Sequence, residues 1–167
     1  MNKEMNIMKK QIKYLVMDVD GTLTNGIIYM GPDGEVFKAF NIKDGYGIHN
    51  ILPQYGILPI IITGRESKIT ENRCKELGIV DLYQGVSNKV DKLDEILCEK
   101  GAKFEEVAYI GDDLNDLPVM LLLKQNGGIV ACPNNAVNEV CMTAHYISKH
   151  DGGDGAVREF IEYLVSQ

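Results

Sequence analysis

The chain has 167 residues and a formal net charge of -7, with 17 basic residues against 24 acidic ones. This balance argues against broad nucleic-acid binding, which needs a basic face, and a chain of this length is expected to form one domain. No apolar run approaches the roughly 18 residues of a membrane-spanning helix. No secretory leader precedes the first strand-like run, so we predict a cytoplasmic protein without a membrane partner.

The beginning of the chain is expected to be a tail outside the folded domain. Its true start is open among Met1, Met5 and Met8. We predict a flexible tail over residues 1–10 and a single domain over residues 11–167.

Apolar runs typical of strands alternate with helical patterns along the rest of the chain. The strand-like runs are YLVM (14–17), LPIIIT (58–63), VAYIG (107–111) and GGIVA (127–131). The helical patterns cover residues 66–78, 89–101, 116–127 and 156–167. This alternation predicts βαβ units, so we expect an α/β fold: a Rossmann-like, doubly wound parallel sheet with helices on both faces.

Residues 27–40, IIYMGPDGEVFKAF, interrupt that alternation. They form two short extended patterns around Gly-Pro-Asp-Gly, which is a sequence typical of a hairpin turn. We predict a small β-hairpin inserted after the first strand. It is either a flap beside a functional site or an edge hairpin without a functional role.

Polar residues follow the predicted strands. In an open parallel sheet, ligands bind beyond the carboxyl ends of the strands. Each polar group alone is weak evidence, but several at one edge indicate a site. The candidates are Asp18, Asp20, Thr63, Gly64, Arg65, Lys89, Asp112, Asp113 and Asp116.

This set of residues is typical of phosphoryl transfer. Converging carboxylates repel one another unless a hard cation lies among them, and oxygen ligands suit Mg²⁺. A carboxylate such as Asp18 can attack phosphorus and form an aspartyl phosphate, while Lys89 stabilises the phosphate charge. The Thr63 hydroxyl and the backbone N–H groups at Thr63 and Gly64 can hold phosphate oxygens. Asp20 is placed to protonate the leaving oxygen and then to deprotonate water.

Two protein families use such a set, and the order of the motifs separates them. Receiver domains of two-component signalling carry the acid pair before the phosphorylated aspartate, and their lysine comes last. Here the order resembles that of the haloacid dehalogenase superfamily, whose four motifs match DVDGT, ITGR, Lys89 and GDDLND. A receiver-like, phosphorylation-controlled binding module is the less favoured alternative.

The resemblance implies a role for each acidic residue. Asp18 would be the nucleophile, and Asp20 would be the general acid and base. Mg²⁺ would be bound by Asp18, the backbone carbonyl of Asp20 and Asp112. Asp113 and Asp116 would be auxiliary ligands or would support the ligands.

The spacing of the motifs predicts a member without a cap domain. Asp18 and Thr63 are 45 positions apart, Thr63 and Lys89 are 26 apart, and Lys89 and Asp112 are 23 apart. A cap domain would need a far longer insertion. Only the predicted hairpin at residues 27–40 is then left near the site, and open sites of this kind admit water unless a neighbouring subunit covers them.

A longer match resembles the 3-deoxy-D-manno-octulosonate 8-phosphate (KDO 8-phosphate) phosphatase family over most of residues 12–163. It is carried by YMGPDGEVFKAFNIKDGYGI, IITGRESKITENRCKELGI, LYQGVSNK, VAYIGDDLNDLPVM and GGDGAVREF. The resemblance implies hydrolysis of a sugar-acid phosphate on the route to lipopolysaccharide. It also implies a homotetramer in which the hairpins associate and the neighbouring subunit completes each active site.

The family's substrate-binding positions are also carried over by this resemblance. They fall on Asn41, Asp44, Gly45, His49, Gly64, Arg65 and Arg73. A guanidinium matches the carboxylate of a sugar acid, and we expect Arg65 and Arg73, eight positions apart, to share one helix face. Arg73 has an alternative reading as a solvated charge paired with Glu71 or Glu76.

Two departures from the family pattern leave the preferred sugar open. His49 stands where the family commonly has an arginine, and Asp154 stands at an often basic position in a glycine-rich segment. The alternative substrates are the nine-carbon acids KDN 9-phosphate and N-acetylneuraminate 9-phosphate. The phosphatases for those acids carry an acidic residue after Thr-Gly, whereas Arg65 stands here, which favours the eight-carbon acid.

Overall fold

The structure is a computed structural model that describes residues 12–167, so the predicted tail at residues 1–10 lies outside the described residues. The strands are Tyr14–Met17 (β1), Tyr29–Gly31 (β2), Gly34–Phe37 (β3), Leu58–Ile62 (β4), Asp81–Tyr83 (β5), Val107–Ile110 (β6), Ile129–Cys132 (β7) and Tyr146–Ile147 (β8). Six of them form one parallel sheet in the order β5-β4-β1-β6-β7-β8. The first strand therefore lies in the interior of the sheet.

Helices cover both faces of this sheet. They are Ile42–Tyr46 (α1), Lys68–Leu77 (α2), Lys89–Lys100 (α3), Leu117–Gln125 (α4), Asn138–Thr143 (α5) and Ala156–Ser166 (α6). A π-helical turn at Gly47–Ile51 and 3-10 turns at Leu52–Tyr55 and Phe104–Glu106 complete the helical segments. None of the helices between residues 12 and 167 is long and apolar enough to span a lipid bilayer.

The side chains of β1 alternate between the two faces of the sheet and contribute to a hydrophobic core on each face. Leu15 and Met17 face a core shared with α6, where Phe160 is fully buried, with the π-helical turn through Ile48 and with α2 through Cys74. Val16 faces the opposite core, which is built from α3, α4 and α5 and includes Leu93. Successive strand residues point to opposite faces, so one apolar run fills both cores. The predicted doubly wound fold is confirmed.

The predicted hairpin is also confirmed. Strands β2 and β3 pair antiparallel across Pro32 and Asp33, and the rings of Tyr29 and Phe37 stack with centroids 4.1 Å apart. Within the described residues, the connection from β1 to β4 contains this hairpin and short helical turns but no cap domain. The site at the end of β1 is therefore covered by little of its own chain.

The start of α6 is capped from a distant part of the chain. Gly155 precedes the helix and provides no side chain, but Asp44 Oδ1 accepts a hydrogen bond of 2.7 Å from the Arg158 N–H. Asp44 is only 1% exposed, and its Oδ2 has no hydrogen-bond partner among the described residues. Burial raises the pKa of Asp44, against the opposing effect of the N–H groups of Arg158 and Gly155.

Variants of Asp44 test this cap. We expect Asp44→Ala to lower the free energy of unfolding by about 1–2 kcal/mol, because the helix loses its acceptor. Asp44→Asn keeps an acceptor oxygen and should lose less. Urea unfolding monitored by circular dichroism measures both, and equal stability of Asp44→Ala and the wild type would contradict the assignment.

The raised pKa of Asp44 adds a pH dependence with a defined sign. The folded protein holds this proton more tightly than the unfolded chain, so the contribution of Asp44 to stability falls as pH rises above about 4. Asp44→Asn removes that contribution. The unfolding free energy of the variant relative to the wild type should therefore increase between about pH 4 and pH 7; an unchanged difference would show that Asp44 titrates normally.

Candidate active site

Three neighbouring strands end at one edge of the sheet and carry the predicted catalytic residues. Met17 of β1 is in register with Ile61 of β4 and with Ile110 of β6. Asp18 follows β1 directly and Thr63 follows β4, and both are buried. The parallel arrangement therefore brings residues from distant parts of the chain to one place.

Lys89 is the buried cation at this edge. It is the first residue of α3, and the N-cap side chain of Asn88 accepts a 3.0 Å hydrogen bond from the Val90 N–H. Lys89 Nζ donates to Asp18 Oδ1 at 2.8 Å and to Asp116 Oδ1 at 2.6 Å. Burial alone would lower the pKa of Lys89, but the charges of Asp18 and Asp116 raise it above its usual value. Lys89 therefore stays protonated.

Asp116 is fully buried, and its carboxylate accepts hydrogen bonds from several donors. Its Oδ1 also accepts a 2.5 Å hydrogen bond from the Tyr109 hydroxyl. Its Oδ2 accepts from the backbone N–H groups of Asp112 and Asp113, at 3.0 Å and 3.2 Å. A Cβ on Gly111 would lie 2.4 Å from Asp116 Cγ, so the glycine of the GDD motif makes this approach possible.

Asp18, Asp112 and Asp116 form an acidic cluster in which one oxygen of each lies within 4.8 Å of the others. Burial, then the charge of Asp116, raises the pKa of Asp18 to about 6. Burial, then the charges of Asp18 and Asp116, raises the pKa of Asp112 to about 7. Crowded carboxylates with these pKa values fit a hard divalent cation such as Mg²⁺, which takes oxygen ligands.

The distribution of hydrogen bonds indicates which carboxylates are available to the cation. The two oxygens of Asp116 are already used by four donors. Asp18 accepts from Lys89 through Oδ1, and Asp112 Oδ1 accepts from the Thr22 hydroxyl at 3.0 Å. Asp18 and Asp112 therefore keep carboxylate oxygens that could hold a cation, whereas both oxygens of Asp116 are used, one of them by Lys89; their roles as metal ligands stay a prediction.

Gly21 allows the DVDGT turn to reach the acidic cluster. Its φ is +97°, and a Cβ there would lie 2.0 Å from Asp112 Oδ2. A side chain at this position would displace Asp112 and would also strain the backbone. The glycine of the first motif is thus required by the position of the last motif.

Asp113 lies outside the cluster. It is exposed, and its Oδ1 accepts a 2.7 Å hydrogen bond from the Leu114 N–H. Its auxiliary role toward the metal stays a prediction.

Asp20, the predicted general acid and base, lies beside two cations. Lys38 comes from outside the four motifs, and Arg65 belongs to the second motif. Its Oδ1 pairs with Lys38 Nζ, and its Oδ2 lies 3.8 Å from Arg65 Nε. Lys38 and Arg65 also pair with Glu35 on β3. Glu35 and Lys38 were not among the predicted site residues, because an acidic and a basic residue three positions apart on a hairpin do not form a recognisable motif.

The predicted substrate-binding residues occupy several different places. Arg65 is not on α2, because the helix starts at Lys68 after Ser67, the N-cap, whose φ of -152° is extended. The prediction that Arg65 and Arg73 share one helix face is therefore wrong. Gly64 lies in the same loop as Arg65, directly after β4.

Arg73 contacts other members of the predicted set. It donates to Glu76 at 2.9 Å, as the alternative reading supposed, and its Nη2 also lies 3.5 Å from the Asn41 carbonyl. A Cβ on Gly45 would lie 2.3 Å from the same Nη2. Asn41, Gly45 and Arg73 are thus brought together.

Asp44 and His49, the remaining members of the predicted substrate-binding set, contact residues outside the acidic cluster. Asp44 faces the start of α6. His49 Nδ1 lies 3.0 Å from the Leu77 carbonyl at the end of α2, roughly 15 Å along that helix from its start. Asp154 is exposed in the glycine-rich loop, whose Gly153 N–H donates to the Thr22 carbonyl of its own chain at 3.0 Å.

Known proteins are similar to this chain in sequence and in fold. A model of the haloacid dehalogenase-like hydrolase family matches residues 61–161. The KDO 8-phosphate phosphatase of Salmonella typhi is 45% identical over 156 residues, which cover 93% of this chain and 80% of that protein. A crystal structure of the Yersinia pestis KDO 8-phosphate phosphatase is 44% identical with a TM-score of 0.87, covering 94% of this chain and 82% of that one.

One solved relative carries ligands. The KDO 8-phosphate phosphatase of Moraxella catarrhalis, in complex with a magnesium ion, a phosphate ion and KDO, is 38% identical with a TM-score of 0.87. The match covers 94% of this chain and 87% of that one. Together with the acidic cluster of Asp18, Asp112 and Asp116, this complex confirms the predicted Mg²⁺ cofactor for the family.

Tyr109→Phe tests whether Asp116 positions Lys89. Loss of the buried hydroxyl leaves Asp116 with one donor fewer, so we expect the unfolding free energy to fall by about 1–3 kcal/mol. We also expect kcat to fall by about tenfold with little change in KM, since small errors in position are costly in catalysis. Thermal unfolding and steady-state kinetics measure both effects.

Tyr83→Phe is the matched control, because its hydroxyl lies at the long distance of 3.4 Å from Asp81 on the partly exposed edge strand β5. It should leave kcat unchanged. A Tyr109→Phe enzyme with the kcat of the wild type would show that Lys89 is positioned without this hydrogen bond.

Proposed function

This chain belongs to the haloacid dehalogenase-like hydrolases and, within them, to the KDO 8-phosphate phosphatase family, and on that premise we propose that it hydrolyses KDO 8-phosphate to KDO and phosphate. The family resemblance drawn from the four motifs is confirmed. The observation that carries the proposal is the buried ion-pair array of Lys89 with Asp18 beside Asp112. It combines a nucleophile, a fixed cation and a place for a metal.

The geometry supports a two-step reaction. In the first step an Asp18 oxygen attacks phosphorus, the bond from phosphorus to the sugar oxygen breaks, and Asp20 donates a proton to that oxygen. In the second step Asp20 takes a proton from water, the water oxygen attacks phosphorus, and the aspartyl phosphate is cleaved to phosphate and Asp18. Lys89 keeps Asp18 oriented and offsets the charge of the phosphate. Bound Mg²⁺ would supply further neutralisation of phosphate charge.

Arg65 supports a sugar acid as the substrate. Its side chain is 44% exposed and lies beside Asp20, where the leaving oxygen would be. A guanidinium at this place can bind hydroxyl or carboxylate oxygens of the departing sugar. The Moraxella catarrhalis relative was solved with KDO, which supports the eight-carbon acid over KDN 9-phosphate or N-acetylneuraminate 9-phosphate.

A panel of phosphate esters tests the substrate. With Mg²⁺, we expect kcat/KM for KDO 8-phosphate to exceed that for KDN 9-phosphate and N-acetylneuraminate 9-phosphate by about tenfold or more, the discrimination that about 1.4 kcal/mol supplies. Phosphate release measures each rate. Equal kcat/KM for the three esters would reject the proposed specificity while leaving the phosphatase activity in place.

The same assay separates the phosphatase from the receiver-like alternative. A phosphatase releases many equivalents of phosphate per active site, whereas a phosphorylation-controlled module would stop after one and keep a long-lived aspartyl phosphate. Asp18→Asn should abolish turnover, and persistence of activity in that variant would reject Asp18 as nucleophile.

We propose in addition that the chain forms a homotetramer through its hairpins, as the resemblance implies. The hairpin exposes a set of large apolar side chains, which soluble monomers rarely leave uncovered as a patch. They are Ile27, Ile28, Met30, Val36 and Phe37. Because the site is open on its own chain, a neighbouring subunit would also complete it. The cytoplasmic location stays a prediction.

The double variant Met30→Asp, Val36→Asp tests the tetramer. Charge on the apolar patch should prevent association, so sedimentation velocity should show a tetramer for the wild type and a monomer for the variant. We expect kcat/KM to fall in parallel. Val80→Asp, at a residue that is 92% exposed after α2, is the control and should remain tetrameric. A monomeric wild type with full activity would contradict the proposal.

A further inference from the structure

The hairpin reaches the active site through two charged side chains that the reaction scheme leaves without a role. Lys38 follows β3, and its side chain is only 3% exposed. Its ammonium group pairs with Asp20 Oδ1 and lies 2.7 Å from Glu35 Oε1. A buried ammonium held between two carboxylates has a fixed position, in contrast to a surface ion pair.

Glu35 joins this pair to the body of the protein. Its Oε2 accepts a 2.5 Å hydrogen bond from the hydroxyl of Ser67, the N-cap of α2. Its Oε1 lies 3.8 Å from Arg65 Nη2. A continuous polar chain thus runs from the start of α2 through Glu35 and Lys38 to Asp20.

We propose that Lys38, held by Glu35, is a positioning residue that keeps Asp20 in place to protonate the leaving oxygen of the substrate and then to take a proton from water. The inference rests on the proposed phosphatase function. Lys38 pairs with Asp20 Oδ1 and so fixes the carboxylate plane. Asp20 Oδ2 lies 3.8 Å from Arg65 Nε, beyond hydrogen-bond distance, and is the oxygen left to meet the leaving group. The hairpin is therefore part of the proton-transfer machinery of its own chain as well as an apolar surface.

The chemistry of the leaving group provides a readout that a general structural effect would not move. A sugar alkoxide needs a proton as it leaves, whereas p-nitrophenolate leaves without one. The value of kcat/KM reports steps up to the first irreversible one, here transfer of phosphate to Asp18. A misplaced Asp20 should therefore reduce kcat/KM for the sugar phosphate far more than for p-nitrophenyl phosphate.

Lys38→Met is the direct test, with KDO 8-phosphate and p-nitrophenyl phosphate as the two substrates. We expect kcat/KM for the sugar phosphate to fall by about 30-fold or more, part of the 10²–10⁴-fold that general acid catalysis contributes. For p-nitrophenyl phosphate we expect a fall of less than about threefold. Lys38→Arg retains a cation and should recover part of the lost rate.

Glu35→Gln is the second variant, in case Lys38→Met fails to fold by circular dichroism. It keeps an acceptor for Ser67 but removes the charge that holds Lys38, so the same selective loss should appear at a smaller size. Lys103→Met is the control, because this lysine is 76% exposed and its ion pair with Glu105, at 3.6 Å, lies on the surface. It should leave both values of kcat/KM unchanged.

The outcomes separate the inference from the proposed function. Equal losses for the two esters, or no loss in either Lys38→Met or Glu35→Gln, would overturn the role of Lys38 while the wild type still acts as a phosphatase. A wild-type protein that hydrolyses neither ester would overturn the proposed function, and this inference with it.

Discussion

The site depends on one buried cation between two buried carboxylates. Lys89 bridges Asp18 and Asp116 at 2.8 Å and 2.6 Å. Removing a partner from such an array leaves an uncompensated buried charge, which is costly. The array also distinguishes the acidic residues from one another. Both carboxylate oxygens of Asp116 accept hydrogen bonds, from Lys89, Tyr109 and the backbone N–H groups of the last motif, so Asp18 and Asp112 are the carboxylates we propose for the metal. Two glycines make the packing around this array possible. Gly111 allows the close approach of Asp116, and Gly21 allows that of Asp112.

The hairpin gives this open fold two means of controlling its site. It exposes large apolar side chains, among them Met30 and Val36, that suit contact with another subunit. Its inner edge contributes Lys38 and Glu35, which contact Asp20 and Arg65. In a fold without a cap domain, one segment of fourteen residues, 27–40, thus both exposes apolar side chains and places charged groups around Asp20, the predicted general acid. The first possibility raised by the sequence, a flap beside the site, is supported by these contacts.

Sequence patterns predicted the long elements and the four motifs, because apolar runs and motif spacing are local signals. They missed the edge strands β5 and β8, which have three residues and two residues, and the short helices α1 and α5, since such segments are too short to show a period. Contacts made between distant segments were also missed. Tyr109 looked like an ordinary strand residue, and the cap that Asp44 provides joins residues 114 positions apart. The error over Arg65 arose because α2 begins at Lys68, after its N-cap Ser67, which is two residues later than the start of the predicted helical segment at residue 66.

The most direct test of this account is chemical identification of the nucleophile in Asp20→Asn. With p-nitrophenyl phosphate and Mg²⁺, the first step needs no acid, while the second step lacks its base, so phosphorylated enzyme should accumulate. We predict a burst of about one p-nitrophenolate per active site. After acid quench and proteolysis, mass spectrometry should place the phosphate on Asp18. Phosphate on another residue, or steady turnover without a phosphorylated Asp18, would contradict it.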